Sequence, residues 1–438
     1  MKKVLLIGNG AREHVIGETL KKSPQGVELF VFGKARNPGL ISLAAEYEVG
    51  ELNDFDKLKE FVERTKPDFA IVGPENPLMD GVVDFLLEMG IQSCSPLKIG
   101  AQLESSKSFT RDLLEKYKIP GNPKYKVFRS EEGISEFLDE LGDDFVVKAD
   151  GLKGGKGVKV SGDHLNGKEE AMAYARKCLD EAGMVVIDEK LIGQEFSLMS
   201  FCDGVHTVEM PPVQDHKRAY VGDKGPNTGG MGSYSCEDHS LPFLRKGDID
   251  AGREITQKVA DALFKETGSY FKGIMYGGFI VTKDGVKLIE YNVRFGDPEA
   301  MNVLPILKTD FVEVCEAQIN GTLNDLNVEF EKKATVCKYV VPNGYPDNPC
   351  KGDKIEVGEI PEGVKVYYAS VDQREDGLYL SGSRAVAFVG IADTLGEAEK
   401  LAQSALYSVK GPVFYREDIG TAKLVQKRVD HMRELRGM

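Results

Sequence analysis

"VLLIGNGAREHV", residues 4–15, decides how the chain must be read. Four apolar residues run into Gly8-Asn9-Gly10, and a mixed polar and apolar stretch follows. That order predicts a strand entering a helix through a tight turn, the opening of a parallel α/β sheet. Gly8 and Gly10 supply the first half of G-x-G-x-x-G, but Glu13 stands where the third glycine belongs. A nicotinamide-binding fold should also carry an acid after its second strand, whereas "LFVFGKARNPG" offers Gly33, Lys34 and Arg36. The two departures remove the dinucleotide. They leave a turn whose backbone N–H groups can meet a phosphate at the start of a helix.

Working outward, the next apolar runs lie at 29–32, 69–72 and 91–94, with helical patterns at 56–64 and 80–89 between some of them. Strands alternating with helices predict βαβ units, and ligands on such sheets sit at the carboxyl ends of the strands. Gly73-Pro74-Glu75-Asn76-Pro77 follows the 69–72 run at such an end. From Ser105 to about Asn324 the texture changes: a helix at 106–117, two strands around a glycine-rich loop, a helix at 168–181 and a strand at 185–187. A polar loop, "VGDKGPNTGGMGSYS", a helix at 249–267 and a hairpin turning on Asp284-Gly285 complete it. The remainder reads as mostly strand, with one helix at 394–409. The expected units are 1–104, 105–324 with a small lid subdomain at about 123–190, and 325–438.

With 438 residues, 41% hydrophobic and 29% charged, the composition is that of globular proteins, and a net charge of -14 argues against a nucleic-acid surface. No apolar run approaches the ~18 residues a membrane span requires. The amino terminus does not read as a secretion signal, its short apolar run being already a strand. Seven scattered cysteines without C-x-x-C spacing read as reduced thiols of a cytoplasmic protein.

Three stretches hold candidate chemistry. In "VVKADGLKGGKGV", Lys148 ends a strand, and Gly151, Gly154, Gly155 and Gly157 form a loop that can approach a phosphate, with Lys156 inside it. A solvated hairpin would carry the same string, and G-x-x-x-x-G-K-[ST] is absent. In "KLIEYNVRFGDPE", a strand over 288–293 would put Glu290 and Asn292 on one face, roughly 7 Å apart, with Leu288 beside them. A carboxylate and an amide oxygen so placed suit Mg²⁺ that also holds phosphate oxygens, although a half-exposed strand alternates in the same way. Arg294, Asp297 and Glu299 crowd beside Gly296 and Pro298. In "DEKLIGQEFS", Asp188 and Glu195 could serve an adenine edge and a ribose, or form a charged connector.

Together these stretches resemble the ATP-grasp ligases. The ordered set "GNGAREH", "VGPENPL", "SSKSFTRDLL", "KADGLKGGKGV", "QDHKRAYVGDKGPNTGGMGSYS" and "NVRFGDPE" is similar to the phosphoribosylamine–glycine ligases within them, and the likeness runs from Lys3 to "YREDIG". It implies an α/β protein: an amino-terminal Rossmann-like parallel-sheet domain, an ATP-grasp fold with a small lid, and a β-rich α+β carboxyl-terminal domain. It departs at Lys153 and Lys190, and the acidic metal ligand that many ATP-grasp enzymes carry earlier is missing from "GIMYGGFIV".

The implied activity joins glycine to 5-phosphoribosylamine at the expense of ATP, through glycyl phosphate, in purine biosynthesis. Other ATP-grasp carboxylate–amine ligases and bicarbonate-using carboxylases are the alternative. By resemblance, ATP falls to Lys107, Lys148, Gly154, Gly155, Lys156, Gly157, Asp188, Glu189, Leu191 and Glu195, and Mg²⁺ or Mn²⁺ to Glu290 and Asn292. Arg294 would take the glycine carboxylate, and Asp215 would orient an ammonium or amine. Gly8, Asn9 and Gly10 would cradle the 5-phosphate of the ribosylamine, Glu75 would meet its ribose hydroxyls, and Asn227, Thr228 and Asp297 would line the rest of its site. The expected partners are small molecules, with no nucleic acid and no membrane, and the expected state is a monomer.

Overall fold

The computed structural model describes residues 1–152 and 157–437. Strand Lys2–Ile7 lies at the centre of a five-stranded parallel sheet, between Val27–Gly33 and Phe69–Val72. Glu46–Val49 and Gln92–Ser93 form its edges. The buried face residues Val4, Leu5, Leu6 and Ile7 explain why the run is continuously apolar: helices cover both sides. The expected helix at 80–89 is divided. Glu75–Asp80 and Val82–Glu88 meet at Gly81, whose φ of 90° ends one helix and starts the next.

Among the described residues the central region holds two four-stranded sheets and the small pair Arg218–Tyr220/Lys224–Asn227. Phe145–Ala149 and Val158–Val160 pair antiparallel around the glycine-rich loop, in one sheet with Tyr125–Phe128 and Val185–Glu189. Lys153, Gly154, Gly155 and Lys156 lie outside the described residues. Thr207–Glu209, Gln194–Asp203, Lys272–Thr282 and Gly285–Asn292 form the second sheet in that order, with the long helix Lys246–Thr267 packed against it.

The hairpin Lys272–Thr282/Gly285–Asn292 carries an irregularity that corrects the expected face of Leu288. Gly278 pairs with Glu290 but Phe279 pairs with Leu288, so Ile289 is an extra residue. Such a bulge turns the strand over locally. Glu290 and Asn292 still share a face, whereas Leu288 points with Tyr291 and Val293 into the core.

The third region is not strand plus a single helix. Besides Leu395–Ala405, the helix Ala422–Leu435 closes the chain, capped by the Thr421 hydroxyl on the Leu424 N–H. Its apolar positions Leu424, Val425 and Met432 are widely spaced among charges, a pattern that only the core beneath makes plain. Strand Ala334–Pro342 is buried along its length and pairs with Gly232–Ser235 and Val386–Ala392. The polar central loop is thereby stitched into the carboxyl-terminal sheet. No helix among the described residues is long and apolar enough to cross a membrane, and the seven cysteines form no disulfide.

Candidate active site

The amino-terminal turn answers the question of Glu13. Gly8 has φ 121°, and a Cβ there would meet Pro74 and Glu13 side-chain carbons at 2.7–2.9 Å. The Glu13 side chain folds back into the space left by Gly8, Gly10 and Gly73, where its carboxylate accepts the Gly10 N–H at 2.5 Å and Arg12 Nε–H at 2.7 Å. The helix Ala11–Lys21 therefore begins with a carboxylate of its own. Asn9 points the other way: its Oδ1 accepts the Lys34 N–H at 2.8 Å, and its backbone oxygen accepts from Asn37. Glu75, one strand over, lies 3.4 Å from Arg294 Nε and 3.9 Å from Arg12 Nη1. Burial would raise its carboxyl, but the two guanidinium groups hold it down at about 2.

A second cluster forms where the lid sheet meets the central sheet. Lys107 opens the helix Lys107–Lys116, and its N–H and that of Ser108 donate to Asp150, while Lys107 Nζ donates to the Gly151 carbonyl at 3.0 Å. Lys148 Nζ sits 2.8 Å from Asp188 and 3.3 Å from the Ile289 carbonyl. Burial lowers its pKa against the pull of Asp188. Asp188 is held from the other side by Arg111 at 2.7 Å; burial would raise the acid, but Arg111 and Lys148 keep it below the usual carboxylate range. Arg111 also donates to the Leu288 and Ile289 carbonyls at 3.0 and 2.8 Å. The bulge is what frees Ile289 for both cations.

Glu290 is the centre of this field. Burial opposes its ionisation, but Lys217, Lys107, Lys148 and Arg294 outweigh it and keep the carboxyl below its usual range. Asn292 Oδ1 accepts Arg294 Nη2–H at 3.0 Å. Glu189 accepts the Lys124 N–H at 2.8 Å, Leu191 is half-buried, and exposed Glu195 stands 3.3 Å from Lys217. Gly157 is buried where its carbonyl accepts the Ala149 N–H. Among the described residues no three acidic, histidine or cysteine side chains cluster as a metal cage. The donors present are one ionised carboxylate and one amide oxygen. That set fits a divalent cation sharing its coordination with phosphate oxygens and water.

The third cluster joins the other two. Arg294, 15% exposed, is engaged by Glu104 at 2.8 Å as well as by Glu75 and Asn292. Asp215 is pushed well above the carboxylate range, first by burial and then by Glu299, against Lys217 and Arg384. Glu299 accepts from Ser197 at 3.0 Å and from Tyr276 at 2.5 Å. Half-buried Asp215 and buried Glu299 thus repel one another, with Lys217 and Arg384 only partly offsetting the charge. Asp297 accepts from Tyr339 at 2.6 Å and lies 3.3 Å from Arg384, which also donates to the carbonyls of Gly229, Gly230 and Asp297. Thr228 spends its hydroxyl inside its own loop, on the Lys217 carbonyl and the Gly230 N–H, and Asn227 is half-buried opposite Arg218.

Phosphoribosylglycinamide synthetase domain families match the chain in order: the N domain over 2–104, the ATP-grasp (A) domain over 105–300 and the C domain over 335–422. The chain belongs to the phosphoribosylglycinamide synthetase family. It is 51% identical to the phosphoribosylamine–glycine ligase of Methanocaldococcus jannaschii, over 99% of this chain and 100% of that one. The Pyrococcus furiosus ligase is 49% identical, over 100% and 98%. The crystal structure of the Thermotoga maritima ligase superposes with a TM-score of 0.79 at 30% identity, covering 95% of this chain and 100% of that one. The biotin carboxylase domain of Hydrogenobacter thermophilus 2-oxoglutarate carboxylase shares the fold alone, with TM-score 0.74, 14% identity, and coverage of 99% and 94%.

The synthetase fold brings together more than motif reading had singled out. Arg111, Glu104, Lys217 and Arg384 reach the site through contacts that no local pattern announces. Lys217 lies inside the quoted "QDHKR", and its distance from Glu195 and Glu290 in sequence hides the relation.

Proposed function

We infer that this chain is an ATP-dependent carbon–nitrogen ligase. It joins glycine to 5-phosphoribosylamine and yields glycinamide ribonucleotide, ADP and phosphate, a step of purine biosynthesis. The observation that carries this reading is the end-to-end identity of about half the residues with phosphoribosylamine–glycine ligases. It favours the ligase over a bicarbonate-using carboxylase, to which the likeness is one of fold.

A carboxylate resists attack by an amine, so activation comes first. An oxygen of the glycine carboxylate attacks the γ-phosphorus of ATP and ADP leaves. The ribosylamine nitrogen then attacks the acyl carbon, phosphate departs, and the nitrogen gives up a proton. Neither step needs an enzyme nucleophile; positioning and charge neutralisation suffice. Lys107 and Lys148 lie against the phosphates, with Lys217 beside them. Glu290 and Asn292 hold Mg²⁺ or Mn²⁺, which when bound neutralises phosphate charge. Asp188, Glu189 and Leu191 wall the adenine, and Glu195 meets the ribose.

The ammonium of glycine goes to Asp215 and Glu299, whose mutual repulsion a cation relieves. Arg294, oriented by Glu104 and Glu75, takes the glycine carboxylate. Glu75, the turn Gly8-Asn9-Gly10, Asn227, Thr228 and Asp297 surround the ribosylamine. The chain is read as a monomer acting in the cytoplasm. ADP release should require ATP, Mg²⁺, glycine and phosphoribosylamine together. An assay omitting each in turn decides it, and rapid turnover with bicarbonate in place of glycine would refute the assignment.

A further inference from the structure

A cavity of about 640 Å³ lies at the seam between the amino-terminal sheet and the carboxyl-terminal region. Lys34, Arg36, Lys351 and Arg374 line it with a single carboxylate, Asp372. In a chain of net charge -14 this local excess of cation is unusual. Two of the four are already neutralised. Lys34 Nζ lies 2.8 Å from Glu51, and Arg374 Nε lies 3.0 Å from Asp372 while its guanidinium rests on the Tyr379 ring. Arg36 and Lys351 have no ion-pair or side-chain hydrogen-bond partner among the described residues.

Backbone bonds hold this seam together. The Arg36 N–H donates to Asp372 Oδ1 at 3.2 Å, and the Gln373 N–H donates to the Arg36 carbonyl at 2.8 Å. The cavity also adjoins the amino-terminal turn, since the Lys34 N–H is bonded to Asn9 Oδ1. On the opposite side of that turn, Gly8 packs against Pro74, which precedes Glu75. A chain of contacts therefore runs from Glu75 through Pro74, Gly8 and Asn9 to Lys34 in the lining of the cavity. The start of the first helix does not compete for an anion, because Glu13 places a carboxylate there that would repel a phosphate dianion.

We propose that this cavity binds the 5-phosphate of the ribosylamine substrate, with Arg36 and Lys351 as its cationic partners. The proposal rests on the ligase reading for the identity of the substrate, and on the cavity alone for its chemistry, a phosphomonoester dianion. Arg36 supplies a planar fork matched to two phosphate oxygens, and Lys351 a point charge from the facing unit. Glu75 then meets the sugar, and Glu13 keeps the phosphate from settling one subsite too early.

Arg36→Gln and Lys351→Gln, both exposed positions whose change spares the core, test this in the full-length protein. Each should raise KM for phosphoribosylamine about tenfold, as loss of one charge-assisted bond at a half-open site does, with kcat and the KM values for ATP and glycine unchanged. Calorimetry should show inorganic phosphate binding to the wild type and weakened in both variants. Glycinamide ribonucleotide should lose affinity in the variants while its dephosphorylated riboside does not. Unchanged KM, equal loss for the riboside, or no phosphate binding by the wild type would overturn the proposal. If no ribosylamine is ligated at all, the ligase reading fails, and the inorganic phosphate measurement still decides the cavity.

Discussion

The amino-terminal turn and the Glu290 centre are both built from glycine-bearing turns and buried charge, yet they are balanced in opposite ways. At the turn, Glu13 answers the Gly10 N–H and Arg12, and His14 is buried as a neutral ring that accepts the Tyr368 N–H at 3.0 Å. Around Glu290, four cations converge on one carboxylate, while Asp215 and Glu299 face each other nearby. A region whose charges are matched internally holds the fold. A region left with cation on one side and carboxylate on the other is prepared for a ligand of complementary charge, here a polyphosphate and an ammonium.

Arg111→Met is the most severe way to break that contrast, because Arg111 belongs to both kinds of region. It and Asp188 are each 3% exposed, and removing it leaves Asp188 with Lys148 alone. A loss of about 3–5 kcal/mol is expected in urea unfolding, as for other broken buried pairs. A loss below 1 kcal/mol would show that Lys148 alone satisfies the acid.

Glu290→Gln should separate function from stability. It keeps the shape of the side chain and removes the negative charge on which Lys217, Lys107, Lys148 and Arg294 act together. The kcat/KM for ligation should fall about 10²–10³-fold, with the far-ultraviolet dichroism unchanged. Wild-type turnover would take Glu290 out of the catalytic centre.

The mildest test addresses the balanced region. Burial depresses His14 to about 4, so the unfolded chain binds a proton that the folded chain refuses. Stability should be fully present above the ordinary histidine pKa, fall as pH drops through that value toward 4, and level off below it. Between pH 7 and pH 5 this group contributes a loss of about 2 kcal/mol. His14→Asn, whose amide oxygen can still accept the Tyr368 N–H, should remove that share. His216, depressed to about 3 chiefly by burial, retains its own. An unaltered stability profile in His14→Asn would mean that the ring is not the proton-excluding group.

Strands such as 69–72 are legible residue for residue, because a parallel strand covered on both faces is apolar throughout. The helix Ala422–Leu435 is not, since its few core contacts are scattered among charges. Glu290 and Asn292 share a face as period two requires, but Leu288 does not, because the extra residue at Ile289 has no signature of its own in the sequence. Lys217, Glu104 and Arg384 escape notice for a different reason. Their roles depend on partners 22 to 190 residues away, and a lone charged residue in a loop or on a helix reads as solvated surface.

By itself, "VLLIGNGAREHV" determined a strand, a glycine turn and a helix, since these depend on local sterics and on which residue types stand at fixed offsets. The tertiary structure alone decided where Glu13 goes. A carboxylate that could have faced solvent is drawn into the hollow left by three glycines, because the helix N–H and Arg12 meet there. That choice depends on Gly73, three strands further along the chain.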